Sequence, residues 1–345
     1  MIRKTVITIY FSFLLIAAAS ANNEIKIDFS SSNLEEVRPI YVRLPDGYDK
    51  DSDEKYPTLY VLNSKDNFDW SSYIVELQAS KNAIKDMVIV GLPHIGNYYD
   101  DHYPFAEEDS LISSPSAAKH SSYIREEVIP YIESNYNVNQ GRVIIGHSLA
   151  GLFVSHLYTE YPDSFSTFVA LSPSFQHAPQ MAEHFQNFFN KNEKVSSQIY
   201  MALGKLEHEG IQEGYNQIRQ VFADNASQDV QYYIGFIEHT DHLLAAFQGT
   251  YNALAWLYAD YTIQSEIARS YSYEDYIAHY TALSNRLNYP IKPRERHMAG
   301  FAQFVSRRMG DVEAGITALR VVLHYYPESE LAKNLLNELQ GSEEH

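Results

Sequence analysis

The sequence predicts an α/β fold, a mostly parallel sheet held between two helical layers, followed by an all-helical appendage. Three observations carry this expectation. Short apolar runs bounded by turn residues alternate with stretches of helical periodicity between residues 36 and 262. One run, VIIGHSLAGLFVSHLY (143–158), breaks at a glycine, shows one serine and passes directly into a helix pattern. Beyond Tyr273 only helical patterns remain.

The elements follow in order. EVRPIYVRLPDGY (36–48) alternates in character and ends in Pro-Asp-Gly, a strand and its turn. YPTLYVLN (56–63) and DMVIVGLP (86–93) are continuous apolar runs, as expected of strands buried on both faces, with a helix at 70–84 between them. A helix is expected at 121–136, a strand at 141–146, a helix at 149–161, and strands at 167–173 and 198–204. A helix at 214–223, a strand at 230–236 and a helix at 242–260 complete the main domain, with parallel neighbours joined by crossovers.

The remainder, 263–345, contains three helical stretches separated by Gly310-Asp311 and Tyr326-Pro327. Their layout resembles a single tetratricopeptide unit, with Gly315 where a small alanine is usual. One such unit cannot bury its own apolar face. The tail is therefore expected to dock on the main domain or against a second copy in a homodimer, rather than to act as a peptide binder.

Residues 1–21 carry Arg3 and Lys4, an apolar run too short for a comfortable span, and small residues at Ala19, Ser20 and Ala21. This is the pattern of a cleaved secretory signal, the alternative being an uncleaved anchor. It leaves residues 22–262 as the main domain, in a protein that is periplasmic or secreted and without stable membrane insertion after cleavage. With no cysteine in the chain, there is no disulfide and no site for a lipid-modified cysteine. A net charge of −18 excludes nucleic acid and anionic lipid as partners. The 28 tyrosines are scattered, so they read as amphipathic surface and cleft residues rather than a stacking platform.

In Gly146-His147-Ser148-Leu149-Ala150-Gly151 a buried strand stops at a glycine and a helix starts just after the serine. A serine at the apex of so sharp a turn takes an unfavourable backbone conformation, which small neighbours at Gly146 and Ala150 allow. Ser148 is thus the candidate nucleophile. The Leu149 N–H, at the helix start, points where negative charge develops on an attacked carbonyl. A hydroxyl of ordinary acidity needs a base. Of the 14 histidines, His239 and His242 follow a late strand, and His242, heading the last helix of the domain, is favoured. His147 is too near the serine in sequence to turn back onto it and is expected to pack or line the pocket. The orienting carboxylate is expected after the preceding strand, with Glu207 ahead of Glu209 and Asp241, and a working Ser-His dyad left open. The second oxyanion donor is expected from the backbone N–H of Asn63 or Ser64, and SPSF (172–175, ending in Phe175), with Phe68, Trp70 and His94 on neighbouring loops, is expected to line the acyl or alcohol pocket.

These residues together, from KYPTLYVLN through VIIGHSLAGLF and SPSF to the helix starting at His242, resemble the putative esterase group of α/β-hydrolases. That group includes enterochelin and salmochelin esterases, esterase D-like enzymes and mycolyltransferases. The resemblance covers about residues 30–260. It implies a serine hydrolase fold, Ser148 as nucleophile and His242 as base, an acid after the strand IYMALG, and no metal or organic cofactor. Three departures from the group's pattern stand out, one of them harmless: the elbow has Ala150 where glycine is frequent, and alanine is still small. The group's usual Leu-Asp-Gly turn reads Leu62-Asn63-Ser64, and the loop after VGLP reads Asn97-Tyr98-Tyr99-Asp100-Asp101, whose acids would repel a ferric catecholate at the pocket. The implied function is hydrolysis of a small-molecule carboxylic ester, siderophore-type or short-chain, through an acyl-enzyme. Acyl transfer to an alcohol or sugar, and a catalytically silent binding protein using the tail, are the alternatives.

Overall fold

Side chains alternate along the strands so that both faces of the sheet are apolar: Tyr60 and Leu62 point into one core layer, Leu59 and Val61 into the other. The computed structural model describes residues 24–105 and 117–341; the expected signal segment, 1–21, lies outside the described residues. In chain order the elements are β1 (Glu24–Ser31), β2 (Glu36–Arg43), β3 (Tyr56–Asn63), α1 (Lys65–Ser80), β4 (Val88–Pro93), α2 (Tyr98–His102) and α3 (Ala117–Ser122). A π-helical segment, Tyr123–Val128, leads into α4 (Ile129–Asn135), β5 (Val138–His147), α5 (Leu149–Glu160), β6 (Thr167–Leu171) and α6 (Met181–Lys191). Then come β7 (Gln198–Gly204), α7 (Glu209–Asn225), β8 (Tyr232–Ile237) and α8 (His242–Leu257).

The sheet order is β1-β2-β4-β3-β5-β6-β7-β8, with β3 to β8 parallel and the β1–β2 hairpin antiparallel at one edge. Helices cover both faces, giving the expected α/β/α layering. The short helices α2 and Ser265–Ser270, and two longer elements, exceed the sequence reading. Strand β1 precedes the first expected strand, its Ile25, Ile27 and Phe29 only half-buried at the sheet edge. Helix α6 stands where no element was expected, seating Phe185, Phe188 and Phe189 in the core. The helix expected at 121–136 widens to a π turn, where the Ile129 N–H bonds the Ile124 carbonyl just before Pro130. Proline has no N–H to continue the ordinary ladder, and the wide turn absorbs that break.

The tail comprises α9 (Ser265–Ser270), α10 (Tyr273–Leu287), α11 (Glu295–Met309), α12 (Val312–Tyr325) and α13 (Glu330–Gly341). Its apolar face merges with the core layer under α1 and α8, through Tyr276, Tyr280, Leu283 and Leu287. Polar contacts fix the seat: Tyr258 and Tyr289 hydroxyls lie 2.6 Å apart, Gln198 Nε2 donates to the Arg286 carbonyl at 2.7 Å, and Arg294 pairs with Asp86 at 2.8 Å. Gly141 is required here, because a Cβ would come within 2.4 Å of the Tyr289 ring. All these contacts fall toward the N-terminal ends of the parallel strands. No helix among the described residues is long and apolar enough to cross a membrane.

Candidate active site

Functional groups in a sheet of this kind gather at the C-terminal ends of the parallel strands. Strand β5 ends at His147, and Ser148 follows with φ 60° and ψ −120°, a conformation that costs a non-glycine residue about 1–3 kcal/mol. Close packing over-determines it. A Cβ on Gly146 would sit 2.3 Å from the Ala150 carbonyl oxygen, so only glycine lets the helix fold back onto the strand. The Ser148 N–H donates to the Leu171 carbonyl at 2.9 Å, tying the bend to β6.

The structure brings together Ser148, His242 and Glu207. His242 Nε2 lies 3.0 Å from Ser148 Oγ, and His242 Nδ1 lies 2.8 Å from Glu207 Oε2. The carboxylate is fully buried, and its other oxygen accepts from the Ser172 hydroxyl and from the Gly204 N–H, the latter at 3.0 Å. With Glu207 fixed on one side, the imidazole is held as an Nδ1–H donor, leaving Nε2 to accept from the serine. The other acids considered have different work. Asp241 caps α8, accepting from the Leu243 and Leu244 N–H groups at 3.1 and 2.9 Å, and Glu209 stands exposed at the start of α7. His239 is exposed in the β8–α8 turn.

His147 packs its ring 4.6 Å from that of His242, and its Nε2–H donates to the His242 carbonyl at 2.7 Å. Burial, followed by the nearby His242, pushes the His147 imidazole down to about 4, so it stays neutral beside the histidine it positions. Leu149 opens α5 with its N–H at the helix terminus, where such groups have no intrahelical acceptor. Asn63 ends β3 at φ 91°, a left-handed conformation that asparagine tolerates, and Ser64 caps α1 by accepting from the Asn67 N–H. His94 sits at the same strand ends, its backbone N–H and Nδ1–H both donating to the Asn63 carbonyl.

Two expected pocket residues belong instead to the core. Phe68 is fully buried on α1 against Gly91, and Phe175 is buried near Tyr215; packing beneath the loops, rather than at their mouth, claims both rings. Trp70 is exposed on α1. The acidic loop also reads differently in three dimensions. Asp101 turns inward to a bidentate pair with buried Arg38, at 2.6 and 2.9 Å, so its charge is compensated within the fold.

Several groups make contacts at the site that were not assigned from sequence. Ser174 Oγ lies 3.2 Å from Ser148 Oγ, and Ser172 holds the carboxylate. The Asn63 side chain, rather than its amide alone, donates to the His147 carbonyl at 3.0 Å. Tyr98 donates to that carbonyl, also at 3.0 Å, while its oxygen accepts from the Ala150 N–H at 3.2 Å. Burial raises the Tyr98 phenol to about 12, keeping it a neutral donor. Only the repeated small polar residues of SPS and the Tyr-rich loop hint at these contacts, which span 26 to 84 residues of sequence. Because Asn63 and Tyr98 share one carbonyl, Tyr98→Phe alone is expected to cost about 1 kcal/mol in stability. Tyr98→Phe with Asn63→Ala is expected to cost more than the two singles summed, since the buried carbonyl then loses both side-chain donors. Thermal or urea unfolding of the three variants checks this.

The sequence matches the family described as putative esterase over residues 31–257. A ferri-bacillibactin esterase of Bacillus subtilis is 29% identical over 175 residues, 44% of this chain and 60% of the relative, so the match spans less than two thirds of that protein. An uncharacterized protein of the same organism, YbbA, is 25% identical over 62% of this chain and 90% of its own length. Among solved structures, an IroE-like serine hydrolase from Shewanella oneidensis superposes with a TM-score of 0.75 at 21% identity, covering 88% of this chain and 99% of its own. Coverage that broad cannot be met by residues 24–257 alone, so the shared fold extends into the tail helices.

Proposed function

The chain belongs to the putative esterase family, and from that premise we propose that it is an exported serine hydrolase that cleaves a small carboxylic ester through an acyl-enzyme. The observation that carries this reading is the unbroken line from Glu207 through His242 to Ser148, at 2.8 and 3.0 Å. In it, His242 Nε2 takes the Ser148 proton as Oγ attacks the ester carbonyl, then returns it to the leaving alcohol. Water deacylates the serine by the same relay in reverse. Glu207 orients the imidazole and stabilises its charged form. The Leu149 N–H and an N–H at the β3–α1 turn, from Asn63 or Ser64, hold the developing oxyanion.

The substrate class is a siderophore-type or short-chain ester. Exposed Leu243 and Leu244 beside His242, with Leu206 beside Glu207, give the site an apolar rim that suits an ester with an apolar or aryl part. The inward pairing of Asp101 removes one source of repulsion toward an anionic catecholate. Export rests on the basic, apolar and small-residue pattern of residues 1–21.

A direct test combines labelling with turnover. A fluorophosphonate is expected to modify the peptide containing Ser148, and p-nitrophenyl acetate to give a burst of p-nitrophenol equal to the enzyme present. A panel of catecholate lactones, acylated sugars and short-chain esters then ranks the substrate classes. Absence of both label and turnover in folded protein rejects the reading.

A further inference from the structure

We propose that His156, Glu160 and His184 bind a divalent transition-metal ion of the zinc type, which fastens the far end of α5 to α6. His156 and Glu160 are four residues apart on α5 and therefore lie on one face, a turn from each other. His184, from the first turn of α6, meets them there: its Nδ1 is 3.6 Å from Glu160 Oε1, and its ring centroid is 5.9 Å from that of His156. One ligand atom from each of the three residues lies within 4.8 Å of the others. Tetrahedral zinc with bonds of about 2.0–2.1 Å needs its ligand atoms about 3.3–3.5 Å apart. The Glu160–His184 pair is already near that spacing, and the third ligand arrives by a small side-chain rotation.

A plain surface ion pair would account for His184 and Glu160 but not for His156. That imidazole is half-buried and forms no hydrogen bond with its ring among the described residues. Phe105 stands edge-on to both rings, at 5.7 Å from His156 and 5.0 Å from His184, and restricts their rotation. Two imidazoles and one carboxylate favour a first-row transition ion over calcium or magnesium, which take oxygen ligands. Along the helix, His156 and Glu160 lie about 12 and 18 Å from Ser148, too far to act on the ester. The ion's effect is therefore on the helix whose first turn faces the oxyanion, through its anchorage at the other end.

The test uses tag-free, chelator-stripped full-length protein and zinc chloride, followed by calorimetric titration and thermal unfolding. One equivalent of zinc is expected to bind and to raise the unfolding temperature. His184→Ala is expected to weaken binding by at least about 100-fold and to cancel the rise, with Glu160→Gln weakening it less. His242→Ala, which removes the imidazole of the active site, is expected to leave the binding intact. Failure to take up zinc overturns the proposal. So does uptake that survives both His184→Ala and His156→Ala, or uptake that disappears with His242→Ala.

Discussion

Ser148→Ala is expected to reduce kcat for ester hydrolysis by about 10⁴- to 10⁶-fold, and His242→Ala to do nearly the same. Steady-state assays on p-nitrophenyl acetate check both. The two groups act as one device: the serine is nucleophilic only while Nε2, 3.0 Å away, accepts its proton. The double variant is therefore expected to be no slower than the worse single variant, leaving the residual rate supplied by the oxyanion donors and binding alone. KM should change little, since neither side chain is needed to hold the ground-state ester. Folding should survive the serine change, because alanine gives up only the hydroxyl's contacts with His242 and Ser174, and the strained bend is imposed by Gly146 and the Ser148–Leu171 backbone bond. Ser148→Ala at full rate would remove the catalytic account.

Glu207→Gln is expected to lower kcat by about 10³- to 10⁴-fold, or roughly 4–5.5 kcal/mol of barrier. The amide preserves shape but can present an N–H toward His242 Nδ1, which favours the wrong tautomer and takes away the charge that stabilises the imidazolium. The remaining oxygen still accepts from the Ser172 hydroxyl and the Gly204 N–H, which both use that one atom, so the side chain keeps its seat. A loss in kcat with KM held, against wild-type thermal stability within a few degrees, would assign the effect to the relay. Variation of Glu209 or Asp241 is expected to leave kcat within a few-fold, because those acids face helix termini.

How much of this was legible beforehand depends on the range of the interaction. Ser148 could be read because a local pattern, an apolar strand, a glycine and a helix, is itself the device. His242 and Glu207 were legible from chain order, since each follows a strand whose C-terminal end must lie at one rim of the sheet. Tyr98, Ser172, Ser174 and the Asn63 side chain were not, because their partners are fixed only once β3, β5 and β6 lie side by side. Phe68 and Phe175 show the reverse limit: an aromatic residue near a catalytic loop has the same sequence signature whether it faces a cleft or the interior. Asp101 belongs to the same class, its meaning set by an arginine 63 residues away.

The tail helices press against the sheet from the end opposite the reacting groups, with Tyr289 fitted over Gly141 and Arg286 hooked to the start of β7. Such a plinth separates two evolutionary freedoms. Loops at the working rim can be remodelled for a new ester without disturbing the foundation, and the foundation can change its outer surface without altering turnover. Cutting the chain after α8 would lay bare a broad aromatic underside, so shortened versions should clump in solution before they show any change in substrate choice.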